Sequence, residues 1–256
     1  MSDTVTFHDL KDKSVFITGG GSGIGASLTE GFLQQGARVA FVQRSDASDF
    51  AAKMGSKYGI TPVFIQCDIS DIAALKESMA QAASVIGAFD VVVNNAANDS
   101  RHQLGDITPE SWDMGQAVNL RPHVFTAQAA ADGMKEAGGG SIINFSSVSY
   151  MMGNGDYPGY VAAKAGITGL TRGLARELGP HNIRVNALMP GWVLTDRQME
   201  LWATPEGLAA HLEKQCLKEH LVADDIVDAT LFLASKASRM MTGQALVVDG
   251  GVVVTG

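Results

Sequence analysis

Tyr160 and Lys164 stand four residues apart, a spacing that puts both on one face of a helix. A phenol with a pKa of about 10 is protonated at neutral pH, and a neighbouring cation lowers that value by about 1 to 3 units. Tyr160 beside Lys164 is then a usable general acid or base. Ser147, at the end of a β-branched run, could hydrogen-bond the same substrate oxygen. Asn119, inside the long helix that follows Trp112, could hold a water that relays protons from Lys164. A Tyr/Lys pair at this spacing is common by chance and, taken alone, reads as structural. Tyr157 has no lysine four residues after it and is set aside as a base.

A second group of residues suits phosphate. Thr18-Gly19-Gly20-Gly21-Ser22-Gly23-Ile24-Gly25 carries five glycines in seven positions between a predicted strand and a helix beginning near Gly23. Glycines let the backbone turn tightly and approach a pyrophosphate, while the helix N-terminus offers free N–H groups and the positive end of its dipole. A merely tight turn would need one or two glycines. The next strand ends in Gln43-Arg44-Ser45, where a dinucleotide fold chooses between a ribose hydroxyl and a ribose phosphate. Neutral Gln43, a guanidinium able to grip a phosphate bidentately at Arg44, and a donor at Ser45 favour NADP. Asp46 leaves NAD open, and a solvated surface arginine is the plainer reading of Arg44. Asp68 and Ile69 follow the third strand and Asn94-Asn95-Ala96-Ala97 the fourth, at carboxyl ends where ligands of open α/β sheets bind. Asp68 could accept from an adenine amine, although it or Ser70-Asp71 could equally cap a helix.

The elements that must hold these residues are legible as short β-branched runs: Val15 to Thr18, Arg38 to Val42, Pro62 to Gln66, Asp90 to Asn94, Ser141 to Phe145, Ile183 to Leu188 and Ala245 to Asp249. Consecutive apolar residues such as Val91-Val92-Val93 suit strands covered on both faces. Helical spacing between them, as in Leu28, Phe32 and Leu33 or Ile167, Leu170, Leu174 and Leu178, predicts crossover helices. Together they predict a doubly wound, Rossmann-type α/β fold with a seven-stranded parallel sheet. No linker composition divides the chain, so residues 1–256 are read as one domain. The stretch from Pro190 to about Leu221 carries no strand signal and only weak helical spacing, and is read as an excursion covering a site.

The chain has 256 residues, 46% of them hydrophobic, and a formal net charge of −8, with no cluster of Lys and Arg. That balance argues against a nucleic-acid partner. The N-terminal stretch carries scattered charge in place of an apolar signal core, and nothing reaches the length of a membrane span, so a cytoplasmic address without membrane attachment is expected. Cys67 and Cys216 fit neither a disulfide framework nor a metal-ligand spacing, and no metal site is expected.

From about Lys13 to Gly251 the sequence resembles the short-chain dehydrogenase/reductase family. Thr18-Gly19 with Gly23-Ile24-Gly25 is similar to its TGxxxGxG loop, Asn94-Asn95-Ala96-Ala97 to its NNAG with the final glycine replaced, and Tyr160 to Lys164 to its YxxxK. Ser147, thirteen residues before the tyrosine, Asn119, and Pro190-Gly191 with Val193 and Thr195 fall where the family has its serine, its asparagine and its nicotinamide-contacting PG motif. The resemblance implies a hydride-transfer enzyme with Asn119, Ser147, Tyr160 and Lys164 as tetrad, Lys164 also contacting ribose, and a homotetramer or dimer.

A narrower likeness concerns substrate. Asn95 to His102, Thr195 to Gln198, Thr204 to Gly207 and Gln215 to Lys218 look like bacterial aldose 1-dehydrogenases of the D-xylose, L-arabinose and D-galactose type, which oxidise the anomeric carbon of a cyclic sugar. Asn98, Asp99, Arg101, His102, Asn154 and Trp192, with Ser147, could supply a polyol's donors, acceptors and apolar wall. A solvated loop is the alternative for Asp99, Arg101 and His102. The xylose-type relatives carry an acid where this chain has Gln43-Arg44. Two other functions stay open: an NADPH-dependent ketone or 3-oxoacyl reductase of the same family, and a non-catalytic dinucleotide sensor.

Overall fold

The computed structural model describes residues 5–254, so the first four and last two positions of the expected domain lie outside the described residues. Seven parallel strands form one sheet: β1 (Ser14–Thr18), β2 (Arg38–Gln43), β3 (Val63–Gln66), β4 (Val91–Asn94), β5 (Gly140–Phe145), β6 (Ile183–Pro190) and β7 (Ala245–Val248). Their order is β3-β2-β1-β4-β5-β6-β7. The order reverses between β1 and β4, which opens a crevice at their carboxyl ends, the ligand position of a doubly wound sheet. Every strand begins and ends within two residues of its predicted span. β3 starts only at Val63, because Pro62 has no N–H to give to the ladder.

The period of two along each strand separates two cores. Val15, Ile17, Val39, Phe41, Val91 and Val93 point to one side, beneath α1 (Gly23–Gln34), α2 (Ser48–Tyr58) and α10 (Asp224–Ala234). Phe16, Ala40, Val42, Val92 and Ile142 point to the other, beneath α3 (Ile72–Ile86), α5 (Arg121–Glu136) and α7 (Pro158–Leu178). Both faces of the sheet are therefore dry, which is why the strands read as unbroken apolar runs.

The long helix expected after Trp112 is two helices. α4 (Pro109–Asn119) ends at Asn119, and Leu120 breaks the chain at φ −127° and ψ −51° before α5 begins. Pro122 has no N–H for the carbonyl of Val118 that a continuous helix would require, so the break falls here. Asn119 is thereby a helix-terminal residue, turned toward the end of β4 rather than held mid-helix.

The stretch after β6 is also more ordered than its weak spacing suggested. It holds α8 (Asp196–Leu201) and α9 (Pro205–Lys214), each started by a threonine whose hydroxyl accepts from a backbone N–H three residues on: Thr195 from Gln198 and Thr204 from Gly207. Leu221 closes the excursion by pairing with Val193 in an isolated parallel bridge. The four-residue α6 (Ser149–Met152) links β5 to α7.

Candidate active site

The glycine-rich loop crosses from β1 to α1 at the mouth of the crevice. Gly19 adopts φ +71°, a left-handed turn that favours glycine, and a Cβ on Gly25 would run into the Gly19 carbonyl. Asn95, just past β4, ties the loop to the sheet: its side-chain amide donates to the carbonyls of Thr18 at 3.1 Å and Gly19 at 3.2 Å. The backbone N–H groups of Asn95 and Ala96 both donate to the Thr18 hydroxyl. Ser22 opens α1 without a side-chain cap hydrogen bond, so its side chain does not satisfy the N–H groups at the positive end of that helix. Thr195 lies across the loop, its Cγ2 within 3.3 Å of where a Cβ on Gly23 would sit. Ile24 is half-buried against the core, Val193 is buried in it, and Gly191 donates its N–H to Val248.

At the end of β2, the Gln43 side-chain oxygen accepts from the Gly21 N–H at 3.1 Å and its amide donates to the Ser45 hydroxyl at 3.0 Å. Arg44 is exposed, with its carbonyl held by the Gln66 amide. Ser70 caps Asp68 through both its N–H and its hydroxyl, which holds the Asp68 carboxyl below its ordinary range, and the Arg44 guanidinium adds to that. Asp68 is thus a turn-forming carboxylate that also feels Arg44. Ile69 is buried beside Cys67 in the second core, and Ala97 is exposed.

α7 presents Tyr160 and Lys164 to the same crevice. Lys164 is 2% exposed, and its Nζ donates to the Phe145 carbonyl at 2.8 Å, the one acceptor it meets among the described residues, although an ammonium carries three donors. Burial pushes the Lys164 ammonium down to about 7, against a smaller opposing pull from Asp99. Lys164 Nζ lies 5.3 Å from the centre of the Tyr160 ring. Desolvation drives the Tyr160 phenol well above its ordinary range; Asp99 and Tyr157 push the same way, and Ser147 and Arg101 work against them. The lowering expected from Lys164 is not found: the phenol is raised on balance, because desolvation outweighs the smaller lowering by Ser147 and Arg101. Asn119 spends its side chain on the backbone of Asn98: its oxygen accepts from the Asn98 N–H at 2.8 Å, and its amide donates to the Asn98 carbonyl at 3.0 Å. It clamps the loop after β4 onto the end of α4.

That loop meets the excursion to form a wall. Arg101 lies over the Tyr157 ring at 3.8 Å, and Tyr157 stacks on Tyr160 with ring centres 5.2 Å apart. Asn154 donates to the Tyr157 hydroxyl at 3.2 Å. Gln198 accepts from the Trp192 indole at 3.0 Å and donates to Asp99 at 2.7 Å. Arg197 adds an ion pair to Asp99 at 3.7 Å. Two candidates turn elsewhere. Asn98 uses its side-chain oxygen on Ser100 and Arg197, and His102 bonds the carbonyls of its own surroundings, Nδ1 to Ser100 and N–H to Asp156.

Residues 19–253 match a family model described as enoyl-(acyl carrier protein) reductase. The chain is 50% identical to the Rhizobium meliloti protein named "Probable galactose dehydrogenase GalD", over 96% of this chain and 97% of that one. It is 48% identical to D-xylose 1-dehydrogenase of Caulobacter vibrioides, again over 96% and 97%. The chain belongs to the short-chain dehydrogenase/reductase family. A member solved in complex with NADPH, a blue fluorescent protein from a metagenomic library, superposes with a TM-score of 0.87 at 32% identity, covering 96% of this chain and all of that one, 100%.

This dehydrogenase fits the nicotinamide cofactor of its family. An uncapped helix N-terminus behind a glycine loop would hold the pyrophosphate, and the buried Lys164 ammonium, with donors to spare, would meet ribose hydroxyls. Among the described residues no group of three His, Cys, Asp or Glu is placed to hold a metal ion, and no helix is long and apolar enough to cross a membrane. Two wall residues escaped the sequence reading. Tyr157 was judged only as a base, and its part is that of a stacking surface. Gln198 lay unremarked within a longer quoted stretch, where an amide three residues after a capping threonine carries no distinct signal.

Proposed function

We propose that this dehydrogenase is an aldose 1-dehydrogenase, oxidising the anomeric carbon of a cyclic sugar to the lactone, with NADP favoured over NAD. The observation that carries the reading is the polar wall of Asp99, Arg101, Asn154, Trp192 and Gln198 assembled beside Tyr160, in a chain whose two similar relatives are both named as sugar dehydrogenases. A polyol offers the hydroxyls such a wall can pair and the C–H face that aromatic rings can cover.

The cofactor, when bound, supplies the acceptor for the hydride that leaves the anomeric carbon. The chain's residues handle the rest. Tyr160 Oη, as phenolate, takes the proton of the anomeric hydroxyl. Ser147 Oγ donates to the same oxygen and stabilises charge that develops on it. Lys164, buried behind the tyrosine, would hold ribose; Asn119 anchors the loop bearing Asp99 and would hold the proton relay behind it. One hydride and one proton leave, and the C–O bond becomes the lactone carbonyl.

Arg44 supports NADP, because an exposed guanidinium at the end of β2 would pair a 2′-phosphate, with Ser45 as a further donor. Exposed Trp112, Met114 and Val124 on α4 and α5 support assembly as a homotetramer or dimer. The free thiols of Cys67 and Cys216 support a cytoplasmic address. Incubating the purified protein with D-galactose or D-xylose and NADP, then identifying the product by NMR, tests the reaction. A lactone or its aldonic acid is expected; reduction at a ketone only, with no oxidation of any aldose, would overturn it.

A further inference from the structure

Arg101 leaves the two acids beside its loop to other residues. Asp99 pairs with Arg197 at 3.7 Å and takes the Gln198 amide at 2.7 Å, while Asp156 takes the Gln103 amide at 3.0 Å. The Arg101 guanidinium meets aromatic rings instead, its central carbon 3.8 Å from the centre of Tyr157 and 5.1 Å from that of Trp202. Both rings are within reach of a cation–π contact. Trp202 follows α8 in the excursion and Tyr157 opens α7. One cation thus joins the loop after β4, the excursion and the start of the helix that carries the base.

Tyr157 is a fixed platform for that cation. It is buried, its carbonyl accepts from the Val161 N–H at 3.1 Å, and Asn154 holds its hydroxyl at 3.2 Å. Its ring stacks on Tyr160 with centres 5.2 Å and planes 18° apart. The charge of Arg101 therefore acts on the Tyr160 phenol across a single aromatic layer, where little water screens it. The other groups facing the phenol are Lys164 on its own helix, Ser147 after β5 and Asp99 after β4. His102 lies within 3.7 Å of where a Cβ on Gly159 would sit, and His123 on α5 acts on Lys164. Burial pushes the Lys164 ammonium down to about 7, so its charge fades over the alkaline range in which the phenol must ionise. A guanidinium keeps its charge throughout.

We propose that Arg101 is a positioning residue for the base, its guanidinium held against Tyr157 by Trp202 so that its charge favours the Tyr160 phenolate across the ring stack. The proposal rests on Tyr160 as the base of the oxidation described above and concerns how that base is poised. Arg101 itself takes and gives no proton. Because Trp202 belongs to the excursion, the seating of the excursion and the readiness of the base are linked. A guanidinium released from Trp202 turns into solvent, where its field at the phenol is screened.

The test reads the pH dependence of kcat for sugar oxidation in Arg101→Met, Arg101→Lys and Trp202→Leu beside wild type. Met keeps packing against the rings and removes the charge; Lys keeps the charge without the planar fork. In Arg101→Met the rise of kcat with pH is expected to move to higher pH by about half a unit or more. Arg101→Lys should recover most of that shift, and Trp202→Leu should shift the same way by less. Lost packing alone would lower the plateau and leave the midpoint in place. An unmoved midpoint in Arg101→Met, or an equal shift in Arg101→Lys, would overturn the proposal while the sugar reading stands. The same proteins, labelled with carbon-13 at the tyrosine Cζ and loaded with NADP, report Tyr160 ionisation by NMR without substrate, the resonance being assigned with Tyr160→Phe. A wild type that oxidises no sugar would overturn the sugar reading alone. The NMR titration then decides the proposal: a midpoint higher in Arg101→Met than in wild type supports it, and an equal one overturns it.

Discussion

The side-chain amide of Gln198 donates to the Asp99 carboxylate at 2.7 Å, across 99 residues of sequence. This bond joins α8 to the loop after β4, and Gln198 relays it to Trp192. It ties the excursion to the loop after β4 without touching the glycine loop. Gln198→Leu should raise KM for the sugar about tenfold, the equivalent of about 1.4 kcal/mol, with a smaller change in kcat and none in cofactor affinity. Steady-state kinetics at saturating cofactor check it; an unchanged KM would show that the bond does not position substrate.

Asp99 raises the Tyr160 phenol above its ordinary range, after desolvation. Oxidation needs the phenolate, so its rate should climb with pH on the alkaline side. Asp99→Asn removes the charge and keeps an oxygen for Gln198. The climb in kcat should then move to lower pH, even if the rate at the plateau falls. A pH–kcat profile that stays in place would separate Asp99 from the tyrosine.

The strands were readable because both faces of the sheet are dry: Val91-Val92-Val93 feeds two cores at once and leaves no polar alternation to confuse with a helix. The glycine loop was readable because Gly25 backs onto Gly19, a contact that excludes any side chain. The site was only half legible. Tyr160, Lys164, Ser147 and Asn119 follow from spacing and resemblance, but Asn119's clamp on Asn98 depends on the break at Leu120, and only the prolyl nitrogen of Pro122 signalled it. The wall was least visible, since Tyr157 and Gln198 meet Arg101, Trp192 and Asp99 through tertiary packing. Even so, Thr204-Pro205 is a readable helix start, a capping hydroxyl followed by a residue that needs no N–H, and it would have placed α9.

Arg44 stands exposed at the end of β2. Arg44→Asp removes a phosphate partner and adds a repulsive charge, so KM for NADP should rise by at least tenfold while that for NAD stays or falls. Parallel assays with the two cofactors decide this, and an unaltered ratio would make Arg44 a bystander.

His123 is 2% exposed on α5, with no well-formed hydrogen bond to either ring nitrogen among the described residues, and burial, helped by nearby Lys164 and only weakly opposed by the Leu120 backbone, pushes its pKa down to about 3 from an ordinary 6.5. The unfolded chain therefore binds more protons than the folded one between about pH 6.5 and 3, and stability falls as pH drops through that window. From pH 7 to pH 5 this one group should remove about 2 kcal/mol. His123→Leu should flatten that part of the curve in urea titrations; an acid slope identical to wild type would place the sensitivity elsewhere.

The central claim is that Tyr160 takes a proton from a sugar hydroxyl as hydride leaves the same carbon. Initial rates of nicotinamide reduction across pentoses, hexoses and deoxyhexoses, with NADP and NAD in parallel and Tyr160→Phe beside wild type, test it most directly. The account predicts turnover on a subset of aldoses, faster with NADP, and a loss of about 10² to 10⁴ in the variant with cofactor binding retained. No turnover of any aldose, or near-normal turnover by Tyr160→Phe, would contradict it.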